Sequence, residues 1–544
     1  MNTKRNGVGL LFLILVGVGC RQETNQTHND RPNIIFMMAD DHAYQAISAY
    51  QDHLTQTPNI DRIAKEGMIF RNACVTNSVC APSRAVVLTG KHSHINGKTD
   101  NIFPFDTAQV TFPQYLQAAG YQTAMFGKLH FGNNPKGFDE FKILPGQGAY
   151  YNPDFITKKE GNIQVEGYVT DIITDMTLNW LENERNKEEP FMLMYLHKAP
   201  HREWLPALRH IGDYTSKKIP EPTTLFDDYS GRGTAAHEAE MNILEHMNWA
   251  GDSKVYPDVM DELGIPDASG WDQLAFEKGI GRMTGEQRTA WDNVYRPINE
   301  DFKRRFPTMT TKEKMQWRYQ RYMQDYLATI AAVDQNVGRV LDYLDENGLA
   351  ENTLIVYTSD QGFYLGEHGW FDKRFIYEES FRTPLLMRWP QVIKPESSNQ
   401  KMVQNLDFAQ TLLEVAGVTA PGDMQGESLV PLLEGREEAW TRNEVYYHFY
   451  EYPSIHMVKR HYGIVSERYK LIHFYYDIDE WELYDRKMDP QELNNVFNDP
   501  AYAEVVRALK TKLEVLRKKY GDSDRLSDEY IERYMSKIKV DELL

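Results

Sequence analysis

Cysteine is scarce in this sequence. Only Cys20, Cys74 and Cys80 occur among the 544 residues, which excludes the small secreted scaffolds that many disulfides hold together. None of the three stands in the CxxC spacing that is typical of metal sites. Each cysteine therefore has to be interpreted on its own.

Positive charge is also in deficit. The chain has 60 lysine and arginine residues against 79 aspartate and glutamate residues. This balance argues against nucleic acid or an anionic membrane surface as the main partner. An anionic small ligand would be repelled by the mean field of the protein, so it would need a local cluster of cations.

The sequence also lacks an apolar run long enough to span a bilayer. The apolar run near the N-terminus, Val8–Val18, is too short for this. With a basic stretch before it and Cys20 after it, residues 1–20 resemble a bacterial lipoprotein signal with Cys20 as the lipidated residue. Because Gly17 stands where a larger aliphatic residue is usual, a cleaved secretion signal is the alternative. Residues 21–31 predict a polar tether. We expect the protein in the periplasm or cell envelope, with membrane contact only through the lipid anchor.

Short apolar runs of strand length alternate with helical patterns in most of the chain. The runs cover residues 33–38, 122–126, 191–196 and 354–358, and a long helix is indicated by apolar residues spaced three and four apart from Tyr319 to Leu344. This alternation predicts an α/β fold with a large, mostly parallel sheet flanked by helices. The residues that follow each strand should then meet at one edge of the sheet.

Acidic and amide side chains follow two of these strands. Asp40 and Asp41 come after the first run, and Asp360 and Gln361 come after the fourth. Together they form an oxygen-only set suited to a hard cation, and Ca²⁺ is favoured because it tolerates irregular oxygen cages. Taken singly, the Asp pair could equally be a helix N-cap, and Asp360 with the amide could be a turn.

A short motif around Cys80 gives these residues a context. The letters CAPSR from Cys80 to Arg84 run into AVVLTG, which ends at Gly90. On its own this stretch is equally compatible with a buried cysteine, a helix that starts at Pro82 and a solvated arginine. The motif nevertheless resembles the site at which formylglycine-dependent sulfatases, members of the alkaline-phosphatase-like superfamily, have one cysteine converted to formylglycine.

The resemblance implies a complete catalytic site. Cys80 would be converted by a formylglycine-generating enzyme and would ligate one Ca²⁺ ion with the acidic set, although Gln361 replaces a more familiar Asn. Hydrated formylglycine would attack sulfur, and Asp360 would take its proton. The matching cations are Arg84, Lys128, His130, His201 and Lys373. Arg84 would hold the nucleophile and the two lysines would bind sulfate. His201 would protonate the leaving sugar oxygen and His130 would assist release of sulfate, or these two roles could be exchanged.

The resemblance also implies a domain organisation. A catalytic domain spans residues 32–435, and within it residues 205–316 carry no chemistry motif and predict short helices and loops on the surface. Residues 436–544 predict a smaller C-terminal subdomain with a short antiparallel sheet, because aromatic and basic residues alternate near Tyr469. The last helix is predicted at residues 501–520.

Longer sequence segments indicate the substrate. The segments 167–182, 196–204 and 358–375 resemble gut-bacterial sulfatases that act on N-acetylglucosamine 6-sulfate from heparan or mucin glycans. A sulfated oligosaccharide or monosaccharide is therefore the expected partner, with iduronate 2-O-sulfate and galactose or N-acetylgalactosamine sulfates as alternatives. Candidate substrate-binding residues besides Lys128 and Lys373 are Asp372, Arg374, His368, His456 and Arg460. For each, a structural salt bridge or a solvated side chain is an equal alternative.

Two other classes of protein share some of these features. A phosphoester or phosphonate hydrolase on the same scaffold would have similar sequence motifs at its metal site, and some of those enzymes also use formylglycine. A glycan-binding lipoprotein without catalysis would keep Cys80 as a thiol. Sulfatase-like contexts around Lys128, His130 and Lys373 favour the sulfatase interpretation.

Overall fold

The computed structural model describes residues 1–3, 31–267 and 270–538. The predicted signal, the tether up to residue 30 and the predicted lipidation of Cys20 lie outside the described residues, so they remain predictions. Within the described part of the chain, no helix combines the length and apolar character that crossing a membrane requires.

The core of the molecule is a ten-stranded sheet with the order β10-β2-β9-β8-β1-β7-β3-β4-β5-β6. Five neighbouring strands, from β8 to β4, are parallel, whereas β9 and β5 run against their neighbours. The strands are β1 (Asn33–Ala39), β2 (Met68–Cys74), β3 (Gln122–Lys128), β4 (Glu140–Leu144), β5 (Asp154–Thr157), β6 (Gly161–Gln164), β7 (Phe191–Leu196), β8 (Thr353–Ser359), β9 (Leu385–Arg388) and β10 (Ser397–Gln404).

The central strands are buried on both faces. Every residue of β1, β7 and β8 is buried, and two apolar clusters cover the two sides of the sheet. A parallel strand covered by helices on both sides has no polar face, which explains its continuous apolar run. The predicted α/β fold is therefore confirmed, as are the four predicted strands.

Helices cover the sheet and form the connections between strands. In the first 435 residues they are α1 (Pro58–Lys65), α2 (Cys80–Thr89), α3 (Ser93–Asn96), α4 (Phe112–Ala118), α5 (Val169–Asn179), α6 (Thr234–Glu238), α7 (Pro257–Leu263), α8 (Trp271–Gly279), α9 (Gly285–Arg305), α10 (Thr311–Glu346), α11 (Glu378–Phe381), α12 (Phe408–Val415) and α13 (Val430–Leu433). The long helix α10 begins at a capping box of Thr310 and Glu313. Its bounds confirm the predicted long helix.

Residues 205–316 are more integrated than the sequence indicated. The expectation of short helices agrees with α6, α7 and α8, but α9 has 21 residues and its Trp291 and Tyr295 are completely buried. These rings belong to the same apolar cluster as the central strands. Large aromatic side chains at helical spacing bury too much apolar area to remain on the surface.

The C-terminal part forms a separate four-stranded antiparallel sheet, as predicted. Its strands are β11 (Glu444–Phe449), β12 (His461–Ser466), β13 (Tyr469–Phe474) and β14 (Glu480–Asp485), in that order. Helix α14 (Ala503–Tyr520) packs on the sheet and agrees with the predicted last helix. A further helix, α15 (Asp524–Met535), was not predicted. It contacts the catalytic part, where the Tyr530 hydroxyl donates to the carbonyl oxygen of His94.

Candidate active site

The predicted site residues meet at the carboxyl edge of the parallel strands. Strand β1 leads into Asp40 and Asp41, β8 leads into Asp360, β3 ends at Lys128, and β7 is followed by the loop that carries His201. These four strands are neighbours in the sheet order β8-β1-β7-β3. Side chains that are far apart in sequence are therefore brought to one place by the sheet, as expected for an open α/β fold.

Three carboxylates form the floor of this site. Oxygen atoms of Asp40, Asp41 and Asp360 all lie within 4.8 Å of one another, and all three side chains are buried. The backbone N–H of Asp41 donates to Asp360 Oδ1 at 3.1 Å, which ties the ends of β1 and β8 together. Asp40 Oδ1 and Gln361 Oε1 are buried without a hydrogen-bond partner. Unpaired buried oxygens beside clustered carboxylates fit a hard cation.

The clustering of these carboxylates changes their pKa values. Burial, reinforced by Asp40, raises the pKa of Asp360 to about 7. Burial, opposed by Lys373, raises the pKa of Asp41 to about 6. Burial also acts to raise the pKa of Asp40, but Lys128 and other nearby cations outweigh it and hold that pKa well below its usual range. Three ionised carboxylates this close are mutually destabilising, so the site favours a divalent ion that would compensate them.

Cys80 is the first residue of α2, and its side chain is buried above the acidic floor. Its Sγ lies within 4.8 Å of ligand atoms of Asp40 and His201 and 3.9 Å from Gln361 Nε2. Burial and the charge of Asp40 raise the pKa of the Cys80 thiol far above its usual range. An unmodified Cys80 would therefore stay protonated and be a poor nucleophile at neutral pH. Sγ marks the position that a formylglycine oxygen would occupy.

Arg84 lies one helical turn after Cys80, on the same face of α2. Its Nε and Nη2 atoms are 3.0 and 2.9 Å from Asp360 Oδ2, and Nη2 is 3.8 Å from Asp40 Oδ1. Lys128 faces the same floor, where its ammonium donates to Asp40 Oδ2 and to Gln147 Oε1. Both cations are almost completely buried. They supply the local positive charge that the acidic composition lacks.

Two further predicted groups approach from other loops. Lys373 Nζ is 2.8 Å from Asp41 Oδ2, and His201 Nε2 is 3.8 Å from the same oxygen. His201 Nδ1 is 2.7 Å from the carbonyl oxygen of Arg202. This contact makes Nδ1 the protonated nitrogen of the neutral ring, so that Nε2 faces the site.

His130 is partly exposed at the rim of the site, with its Nδ1 unpaired. Burial and the charge of Lys128 lower the pKa of both His130 and His201. The two imidazoles are therefore neutral at neutral pH in the absence of an anion. A bound sulfate ester would favour their protonated forms, because it adds negative charge beside them.

The candidate sugar contacts form a second cluster beside Lys373. Asp372 Oδ2 lies 3.1 Å from His456 Nε2, and Asp372 Oδ1 lies 3.4 Å from Arg374 Nε. His456 reaches the cluster from the loop between β11 and β12, so the C-terminal part completes the site. His456 Nδ1 is 2.9 Å from the carbonyl oxygen of Glu240, which belongs to the segment 205–316. That segment therefore supports the wall of the site.

Two predicted sugar contacts are placed elsewhere. His368 is completely buried among aromatic rings, with Asp227 and Glu379 carboxylate oxygens 3.4 and 3.5 Å from its ring nitrogens. Arg460 is also fully buried, where its Nε donates to the carbonyl oxygen of Tyr452 and aromatic rings of the C-terminal part cover its guanidinium. The contacts of both side chains in this structure lie with these partners, and their binding of substrate stays a prediction.

Sequence reasoning missed Gln147 and Lys198. Gln147 accepts a hydrogen bond from Lys128. Lys198 is 4% exposed, its Nζ lies 4.6 Å from the centre of the Tyr150 ring, and it has no ion pair within the described ranges. Burial and the charge of Lys128 lower its pKa to about 8. Lys198 precedes His201 by three residues, and this proximity to a candidate histidine was the signal that could have identified it.

Comparisons with known proteins agree with this geometry. A family model described as sulfatase matches residues 32–418, and a model described as N-sulphoglucosamine sulphohydrolase, C-terminal, matches residues 366–519. The first model covers the acidic floor, Cys80 and all five predicted cations. The second covers the four-stranded sheet and the loop that carries His456.

Individual relatives cover nearly the whole chain. An N-acetylglucosamine-6-O-sulfatase of Bacteroides thetaiotaomicron is 49% identical over 521 residues, which is 95% of this chain and 91% of the relative. An N-acetylglucosamine-6-sulfatase of Capra hircus is 26% identical over 76% of this chain and 66% of its own length. A solved structure described as a complex with its substrate D-glucosamine-2-N,6-O-disulfate superposes with a TM-score of 0.86 at 50% identity, covering 91% of this chain and 99% of that one.

Proposed function

The chain belongs to the sulfatase family and is a sulfuric ester hydrolase, and we propose that it removes the 6-O-sulfate from N-acetylglucosamine units of heparan- or mucin-derived glycans. One observation carries the proposal: a buried Cys80 lies above three carboxylates and is surrounded by cations, and the cluster of Asp372, Arg374 and His456 lies directly beside them. The similarity to N-acetylglucosamine-6-O-sulfatases supports this choice of sugar.

The acidic floor would hold one Ca²⁺ ion. Asp40, Asp41 and Asp360 supply carboxylate oxygens, and the unpaired Oε1 of Gln361 supplies an amide oxygen. When bound, the ion would draw electron density from a sulfate oxygen and balance the charge of the carboxylates. Formylglycine made from Cys80 would supply a hydroxyl nucleophile in place of the protonated thiol.

The side chains of the protein then have distinct tasks. Arg84 is fixed by Asp360 one turn below the nucleophile, so its charge favours the ionised form of a hydroxyl at position 80. Lys128 and Lys373 approach the floor from β3 and from the loop after β8, where their ammonium groups would bind sulfate oxygens. Asp360, whose Oδ2 also pairs with Arg84, would take the proton of the attacking hydroxyl.

Departure of the sugar alkoxide requires a proton donor. His201 has its Nε2 directed into the site and its Nδ1 fixed by a backbone carbonyl, which is the arrangement of an oriented acid. We assign this role to His201 and assign assistance in sulfate release to His130. Asp372, Arg374 and His456 would hold hydroxyl groups of the sugar ring, because a carboxylate, a guanidinium and an imidazole offer partners to hydroxyls that both donate and accept.

A panel of sulfated monosaccharides and disaccharides tests the choice of substrate. We expect N-acetylglucosamine 6-sulfate to be desulfated with a kcat/KM at least about tenfold higher than galactose 6-sulfate, which corresponds to about 1.4 kcal/mol of discrimination. Sulfate release is measured by ion chromatography, with the matching phosphate ester as the control. Preference for iduronate 2-sulfate, for galactose 6-sulfate or for the phosphate ester would contradict the proposal.

The two histidines can be separated by the leaving group. Replacing His201 with alanine should lower turnover of the sugar sulfate by about 10²- to 10⁴-fold. Turnover of an aryl sulfate with an acidic phenol as its leaving group should fall much less, because that leaving group departs without a proton. The same comparison with His130→Ala is the matched control, and a loss there should be similar for both esters. A loss that depends on the leaving group only in the His130 variant would show that the two roles are exchanged.

A further inference from the structure

Glu451 lies in the loop between β11 and β12 that also carries His456, and its carboxylate is buried beside the sugar cluster. Its Oε1 accepts a hydrogen bond from Arg374 Nη1 at 2.8 Å, and its Oε2 accepts one from the backbone N–H of Asn101 at 2.6 Å. The Ser454 hydroxyl also donates to Oε1, at 3.2 Å. Glu451 is 3% exposed. Both oxygens are therefore occupied, which leaves Glu451 unsuited to bind a sugar hydroxyl itself.

The contacts of Glu451 connect the two halves of the site. On one side, Arg374 leads to Asp372 and from there to His456. On the other side, Asn101 Oδ1 accepts a hydrogen bond of 3.2 Å from the backbone N–H of Ala81. Ala81 directly follows Cys80 in the first turn of α2. A single carboxylate thus links the sugar cluster to the start of the helix that carries the nucleophile.

The same loop holds the sugar cluster from both ends. Glu451 contacts Arg374, and His456 contacts Asp372, so the loop brackets the segment that presents Lys373 to the floor. Asp372 and Arg374 both have positive φ angles, 72° and 91°. Non-glycine residues adopt this conformation only where their surroundings fix it. The contacts from the loop supply such fixation.

We propose that Glu451 is a positioning residue that fixes Arg374 for recognition of the sugar and sets the distance between the sugar cluster and position 80. The inference rests on the proposed function of the Asp372, Arg374 and His456 cluster. It makes the C-terminal part of the chain a determinant of sugar specificity. A charge-assisted, buried hydrogen bond is strong enough for this task, because it restricts a long side chain that would otherwise have many rotamers.

The isosteric variant Glu451→Gln separates the two contacts. Its single amide oxygen can still accept from Asn101, but its NH₂ group would then face the guanidinium of Arg374, donor against donor. We expect KM for the sulfated sugar to rise by about 10- to 100-fold, whereas kcat changes by less than about threefold. Inhibition by inorganic sulfate, which needs only the anion pocket, should change much less than KM does.

A double-mutant cycle shows whether Glu451 acts through Arg374. In an Arg374→Ala background, Glu451→Gln should add less than about a twofold loss in kcat/KM. The matched control is Glu492→Gln, because Glu492 is equally buried in the C-terminal part but pairs with Lys470 instead. That variant should lose thermal stability without a change in KM. Additive losses in the cycle, or equal KM values for the Glu451 and Glu492 variants, would overturn the proposal.

Failure of the substrate assignment would be visible separately. If the wild-type enzyme ignores N-acetylglucosamine 6-sulfate but desulfates another sugar, the substrate proposal fails and the cycle is run with that sugar. If Glu451→Gln does not fold, Glu451→Asp keeps the charge and withdraws it by one methylene. That variant should still show a raised KM, and an unchanged KM would overturn the proposal.

Discussion

Replacement of Cys80 by alanine should reduce sulfate release by at least about 10⁴-fold while the fold remains intact. The loss is large because the proposed nucleophile is made from Cys80, whose Sγ lies within 4.8 Å of a carboxylate oxygen of Asp40 in the acidic floor. The cost in stability should be small, on the order of 1 kcal/mol, because the change removes one buried atom. Initial rates and thermal unfolding of the purified variant check both expectations.

Cys74 provides a matched control for this substitution. It is the other cysteine among the described residues, it is equally buried, and its Sγ contacts the carbonyl oxygen of Val403 in the sheet. Cys74→Ala should therefore lose similar stability but keep full turnover. Mass spectrometry of the peptide spanning residue 80 should detect an aldehyde in place of the thiol in active protein. Full turnover of Cys80→Ala would refute the nucleophile assignment, as would an unmodified cysteine in protein from its native host.

Much of the fold could be predicted from local sequence because the central strands are buried on both faces. A run such as residues 34–38 has no polar position and is typical of a covered strand, and the spacing of apolar residues in α10 indicates one buried face. The residues at the ends of these strands follow directly, since neighbouring parallel strands deliver them to the same edge. The acidic floor was predictable in this way, whereas Cys80 and the five cations were assigned from the CAPSR motif and the resemblance to sulfatases.

The surroundings of the site were not predictable in the same way. His368 stands close to Lys373 in sequence, but Asp227 and Glu379 hold its ring in an aromatic core. Glu451 contacts Asn101 across 350 residues of chain, and neither stands in a motif. Such contacts depend on how two parts of the chain dock, and no local periodicity encodes that. The longer α9 was missed because its aromatic residues are diluted among charged ones.

Removal of the Asp40 carboxylate should abolish metal binding and turnover together. Asp40 is completely buried, contacts both Lys128 and Arg84, and contributes the unpaired Oδ1 that faces the cluster. Asp40→Asn keeps the shape of the side chain but removes the charge on which a hard cation depends. We expect calcium content to fall to background and kcat to fall by at least about 10³-fold. Elemental analysis of dialysed protein and initial rates measure the two effects.

The control for Asp40 must be a buried aspartate outside the metal cluster. Asp334 meets this condition, because its carboxylate is 5% exposed and accepts hydrogen bonds from the backbone of Asn59 and Ile60 at the start of α1. Asp334→Asn should lower the thermal unfolding temperature but keep calcium and turnover. The reason is that its hydrogen bonds hold the N-terminus of α1 and not the acidic floor. Retention of calcium in Asp40→Asn would contradict the ligand assignment. Loss of calcium in both variants would mean that calcium binding responds to general destabilisation of the fold. The experiment would then contradict the assignment of Asp40 as a specific calcium ligand.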